Sequence, residues 1–174
     1  MAEILEFKRG GKRMLSAVQS QSTKVDIKDI AEMFLCFDSM THKKLQKLCY
    51  YAYSWHLALY ERKLFDNRFE AWVHGPVCPE LYQDYKRYGW NEIPAKSDEF
   101  INEIDNVEVF NFVKEVYDSY GHLDANELEY LTHIEEPWKE ARGNLSELEP
   151  CNEEISDHTI TKYYRRVMED AQGE

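Results

Sequence analysis

Cys49 and His56 stand seven residues apart on one prospective helix face, and His74 and Cys78 stand four apart. Thiol and imidazole side chains at such spacings are the usual donors of zinc sites. A structural zinc needs four convergent ligands, usually arriving as two close pairs. Pro76 lies between His74 and Cys78 and spoils a helical pair, so structural histidines and buried thiols are the better reading. Nucleophilic catalysis fares no better. There is no GxSxG elbow, and a cysteine near a histidine is expected by chance in a chain with four of one and six of the other. Carboxylate pairs abound among many surface acids and so select no acid–base couple. Neither a P-loop nor a GxGxxG run occurs. The residue types point to no enzyme, no metal site and no cofactor.

Protein recognition is the chemistry left, and residues 70–85, "EAWVHGPVCPELYQDY", are its best candidate. Gly75, Pro76 and Pro79 there interrupt an aromatic run of Trp72, Tyr82 and Tyr85. Gly75-Pro76 is expected to end an extended segment. Pro79 suits the first position of a helix, where its missing N–H costs nothing, and Glu80 favours the same first turn. The prolines then set a corner presenting Trp72, His74 and Tyr82 near one another, as a preorganised hot spot or as core filling. Alternation sends Trp72 opposite to Ala71 and Val73. Trp72 is expected to be largely buried, with His74 and Tyr82 nearer the surface. Trp138, after Pro137, carries the same two readings.

The bulk composition agrees with a protein partner. The 174 residues suit one domain with a real core. A net charge of −12 makes a polyanion a poor default ligand. The charge is uneven: residues 1–24 carry five bases and two acids, and residues 121–174 carry fourteen acids and five bases. Four scattered cysteines without CxxC, and no long apolar run or signal-peptide pattern, lead to the expectation of a soluble, cytoplasmic, reduced protein.

The elements that must position the corner follow from periodicity. Residues 1–24 are expected to be a variable basic tail preceding a domain over 25–174. Ile27, Ile30, Ala31, Phe34 and Leu35 have helical spacing behind a capping Asp26. Thr41 can cap the next helix, in which Leu45, Leu48, Cys49, Ala52, Trp55 and Leu59 form one stripe and Tyr50, Tyr53, Leu57 and Tyr60 a second. A helix apolar on two faces is central. Asp66-Asn67 is a turn signal between runs containing Phe65 and Phe69 and predicts a small hairpin or paired extended segments. A helix with Leu81, Tyr82, Tyr85 and Tyr88 ends at Gly89. Val109, Phe112, Val113, Val116 and Tyr120 give another, stopped by Gly121. Asp124 and Glu127 form a capping box, Pro137 breaks the helix that follows, residues 143–156 form an acidic loop, and "DHTITKYYRRVMED" is a last helix. The fold class is mainly α: one globular domain of six to seven helices around a central apolar helix, with one small β-hairpin. Two weak hooks for DNA remain, a helix–turn–helix imitation around "DSM" with Lys43, Lys44 and Lys47 facing phosphate, and "KYYRR" at 162–166. Flanking acids and the apolar stripes favour a solvated face in both.

The central stretch, "KLQKLCYYAYSWHLALYERKLFDNRFEAWVHGPVCPELYQDYK", resembles the Panacea antitoxin domain of SocA-like and GepA-like antitoxins. The shared pattern falls on Lys44, Leu45, Gln46, Lys47, Leu48, Tyr50, Tyr51 and Ala52, on His56, Leu57 and Ala58, and on Leu64 and Phe65, with Lys63 where the family has proline. It continues on Glu70, Ala71, Trp72, Gly75, Pro76, Val77, Pro79, Leu81 and Tyr82. A later segment matches at Leu128, Thr132, His133, Pro137, Trp138 and Ala141. The resemblance implies a mostly helical antitoxin, of bacterial or phage toxin–antitoxin systems, that binds and neutralises a protein toxin. The candidate partner-binding residues are Lys44, Gln46, Lys47, Tyr50, His56, Trp72, Gly75, Pro76, Val77, Pro79, Tyr82, His133, Pro137 and Trp138 of the motif, with His74 beside them. An acidic inhibitor suits a basic toxin. The alternatives are an adaptor delivering the toxin to an ATP-dependent protease and a DNA-binding autorepressor; neither nucleic acid nor membrane is an expected partner.

Overall fold

A computed structural model of the protein describes residues 25–102 and 105–173; the basic segment 1–24 lies outside the described residues. Helix α1, Ile27–Leu35, starts at a capping box in which Asp26 and Asp29 exchange side-chain and backbone hydrogen bonds. A two-residue strand β1, Met40–Thr41, leads into α2, His42–Tyr60, whose first turn is capped by the Thr41 hydroxyl accepting from the Lys44 amide. Every residue of α2 from Leu45 to Leu59 is buried. That total burial makes α2 the axis of the molecule, as its two stripes imply, and it ends where Glu61 turns left-handed at φ 56°.

Strands β2, Glu70–Trp72, and β3, Gly75–Val77, form an antiparallel hairpin with Trp72 opposite Gly75. The turn is therefore Val73-His74, and not Asp66-Asn67. The latter pair lies in a loop that drops Phe65 and Phe69 against Tyr53, with ring centroids 5.0 and 5.7 Å away. Gly75-Pro76 likewise opens the second strand instead of ending the first. The free edge of β2 is covered by the last part of the acidic loop: the Ala71 amide donates to Glu153 O and the Ile155 amide to Phe69 O.

Helix α3, Pro79–Tyr85, begins with its proline in the first turn and passes through a 3-10 turn to Gly89 at φ 55°. Strand β4, Glu92–Ile93, pairs with β1. Then come α4, Asp98–Asn102; α5, Val107–Tyr120; α6, Ala125–Ile134, with the Asp124–Glu127 capping box; α7, Glu136–Arg142; and α8, Asp157–Gly173. The described residues thus hold eight α-helices and a second strand pair, a finer division of the mainly α architecture. Glu135 is extended just before Pro137 and splits one apolar pattern into α6 and α7. The short α4 adds one more helix, in the loop after Pro94. No helix of the described residues is long and apolar enough to cross a membrane.

Helices α1, α5, α6 and α8 all pack on α2. The tyrosines fill the seams. Tyr51 and Tyr120 stack at 4.1 Å, and Tyr164 of α8 meets Trp55 edge-on at 5.0 Å. Buried hydroxyls need partners. Tyr164 and Tyr51 donate to the two oxygens of Glu135 at 2.6 and 3.3 Å, and the Trp55 indole donates to Tyr120. Burial, reinforced by the nearby Glu135 carboxylate, holds all three of these tyrosines well above their usual pKa.

Trp55 is 1% exposed, whereas Trp90 is 89% exposed. Trp55→Ala should lower unfolding free energy by about 3–5 kcal/mol, as large-to-small core changes do. Trp90→Ala should stay within about 0.5 kcal/mol. Urea titrations of both variants check this; equal effects would mean that α2 is not the centre of the core.

Candidate functional site

The corner is held from beneath by the start of α2. The Gln46 side chain donates to Cys78 O at 3.1 Å and accepts from the Cys78 amide at 2.9 Å. One carboxamide thus satisfies both backbone groups of the residue that links β3 to α3. The next residue, Lys47, is 1% exposed, and its ammonium donates to Pro76 O at 3.1 Å. Burial pulls the Lys47 pKa down to about 7, against the opposing pull of Glu129. Gly75 sits at φ +92°, and a Cβ there would lie 2.5 Å from Lys47 Cε and 2.7 Å from Thr132 Oγ1. The glycine is required twice, by its backbone and by its neighbours.

The later motif segment closes the other side. The Trp138 indole donates to Trp72 O at 2.9 Å, and His133 stacks on Trp138 with centroids 4.0 Å apart. Burial lowers the His133 pKa. Arg142, 4% exposed, lies under the hairpin and donates to Ala71 O, Ser146 O and Glu149 O, tying the acidic loop to β2. Glu129 of α6 ion-pairs with Lys43 and meets His74 Nδ1 at 3.2 Å. Burial raises its pKa, but the hydrogen bonds from Lys43 and His74 outweigh burial and the net shift is downward.

The candidate residues divide by depth. Gln46, Lys47, Tyr50, His56, Gly75, Pro76, Val77, Pro137 and Trp138 are buried; Lys44, Trp72, Pro79, Tyr82 and His133 are half-buried; His74 is exposed. Trp72 is thus shallower than expected: Glu70 and Ala71 of its strand are buried, but Trp72 stands at the end next to the Val73-His74 turn, and its indole reaches to Glu70 Oε2 at 2.7 Å. Its ring meets Tyr82 edge-on at 5.1 Å, and Tyr82 in turn meets His42 at 5.7 Å. The motif therefore builds a support, and its outer side presents Trp72, His74 and Tyr82 together.

Remaining candidates are dispersed. His56 Nδ1 lies 2.8 Å from Arg62 O, and burial drops its pKa to about 4. Cys49 is buried beside Cys78, whose thiol is pushed up to about 12, mainly by burial. The lysines proposed to face phosphate are engaged internally: Lys43 with Glu129 and Asn126, Lys44 with Gly121 O, and Lys47 with Pro76 O. In "KYYRR", Tyr164 is buried, and Arg165 and Arg166 pair with Glu61 and Glu136. Glu129 and Arg142 escaped the sequence reading. The only signal for Arg142 was an arginine next to a glycine at a helix end in an acidic stretch.

Two outcomes follow from the support. Gly75→Ala should cost about 2 kcal/mol or more, from positive φ and crowding together; an unchanged melting temperature would contradict it. For Lys47, the unfolded chain keeps the proton to near the ordinary 10.5, while the folded chain releases it near 7. The unfolded state then holds more protons between those values, so this group's contribution to stability rises with pH across that window. In denaturant titrations, the stability of the native chain relative to Lys47→Met should rise by about 1 kcal/mol per pH unit from about pH 7.5 to about pH 9.5. A flat difference would mean that Lys47 is not buried.

Comparison with curated proteins and with solved structures returns no match. A family model does match: the SocA-like antitoxin, Panacea domain, over residues 45–139. The matched span starts at Leu45 beside the Gln46 and Lys47 support and ends at Lys139 just past Trp138, so it encloses the corner, that support and Trp138, while Arg142 lies beyond it. The chain belongs to the SocA-like Panacea-domain antitoxin family.

Proposed function

We propose that the chain is the antitoxin of a toxin–antitoxin pair and neutralises its cognate protein toxin by binding it directly. The family supports the general role. The observation that supports direct binding is the corner itself: a hairpin tip locked by buried hydrogen bonds, with aromatic side chains left partly in water. A surface whose rotamers and backbone are already ordered loses little entropy on binding, which favours affinity. Half-buried Trp and Tyr are the side chains that dominate such contacts. The net charge of −12 would speed and select encounter with a basic toxin. Internal engagement of Lys43, Lys44 and Lys47 speaks against a phosphate-binding helix and so against an autorepressor.

Co-expression with the protein encoded by the neighbouring reading frame is the test. Growth should be rescued, and the two proteins should co-elute in size-exclusion chromatography at one fixed stoichiometry. Rescue that disappears whenever the host ATP-dependent proteases are deleted would replace sequestration with an adaptor mechanism. His74→Ala and Tyr82→Ala should weaken neutralisation without changing the melting temperature; full rescue by both would move the contact surface elsewhere.

A further inference from the structure

A cleft of about 490 Å³ opens beside the hairpin tip, between Trp72, Val73 and Val77 on one wall and Pro150, Cys151 and Asn152 on the other. Three observations make it more than a surface dent. Its two walls are joined through one buried cation: Arg142 donates to Ala71 O in the hairpin, next to Trp72, and to Ser146 O and Glu149 O in the loop, next to Pro150. Its interior is mainly apolar, while the chain from Glu147 to Glu154 carries Glu147, Glu149, Glu153 and Glu154 and no base. Two cations offset part of this, since Arg142 lies against the loop and Arg68 is shared between Glu70 and Glu154, and the loop stays net negative. Finally, Leu148 is 84% exposed on the same loop, apolar surface left in water without a partner in the fold.

We infer that this cleft receives the toxin through a segment that inserts one apolar side chain between the hairpin and the loop and carries lysine or arginine beside it. The apolar anchor fills the space beside Trp72 and Pro150, and its basic flanks meet the glutamates of the loop. This rests on the direct-binding reading above and gives it a place and a partner chemistry. Desolvating an apolar anchor supplies affinity, and the acidic rim supplies rate and selectivity.

Cys151 lines the cleft and reports on it. Cys36, half-buried on α1's C-terminal side, serves as the reference, and Cys49 and Cys78 are buried. The full chain is alkylated with iodoacetamide alone and in complex with the protein from the neighbouring reading frame, and read by mass spectrometry. Cys151 should react at least about tenfold more slowly in the complex, with Cys36 unchanged. Glu147→Lys with Glu153→Lys should lower the association rate about tenfold at low salt and leave melting unaltered, whereas Ile134→Lys on the α6 face should change neither. A complex that forms with Cys151 labelling unchanged overturns the cleft and leaves direct binding intact. No complex at all overturns both. Protection that appears in the chain alone as its concentration rises would make the occupant a second copy and overturn the basic partner.

Discussion

The paired hydrogen bonds between the Gln46 carboxamide and the backbone of Cys78 are the constraint on which the rest of the corner depends. Without them a buried N–H and C=O would be left unmet at the junction of β3 and α3, at a cost of about 1–3 kcal/mol for each group. Lys47 adds the neighbouring bond to Pro76 O, and its aliphatic stem occupies the space that a side chain at residue 75 would need. Gln46 and Lys47 therefore set the hairpin against α2 from below. Trp138 and Arg142 fasten the preceding strand from the far side, through Trp72 O and Ala71 O. The hairpin has few residues, yet it is held from two sides by side chains from distant parts of the chain.

This explains why so many polar and aromatic residues lie inside. Glu135 accepts from Tyr51 and Tyr164, which come from α2 and α8, while Trp55 donates to Tyr120 of α5. Satisfied networks of this kind favour one packing over its near alternatives, since each misplaced hydroxyl would be stranded in a low-dielectric interior. The small exposed patch is underlain by bonds of the same kind, from Gln46, Lys47, Trp138 and Arg142. Trp72, His74 and Tyr82 sit on a support whose polar groups are already engaged.

Local signals were legible in the sequence because their partners lie within three or four residues. Asp26, Thr41 and the Asp124–Glu127 pair cap the helices they precede, and Pro79 opens α3. The double stripe of α2 gave the central helix for the same reason. The hairpin turn was misplaced because Val73-His74 lacks turn residues; the chain reverses there because Gly75 alone adopts positive φ, and Gly-Pro resembled a terminator. Lys47 looked like one more member of a basic helix start, since nothing within a few residues reveals that its ammonium meets a carbonyl 29 positions away. Arg142 was invisible on the same ground, as its acceptors lie on both a distant strand and a loop whose course depends on it. The resemblance located the motif, but only the packing separates its supporting residues from the exposed ones.

Native-state hydrogen exchange at single amides examines this support most directly. In the native chain the Cys78 amide should exchange only through global unfolding, at the rate of the α5 core, while the His74 amide at the turn exchanges far faster. Gln46→Leu should bring the Cys78 amide toward the His74 rate and leave the α5 core protected. A Cys78 amide that already exchanges as fast as His74 in the native chain, or that keeps full protection in Gln46→Leu, would contradict the claim that this carboxamide holds the corner.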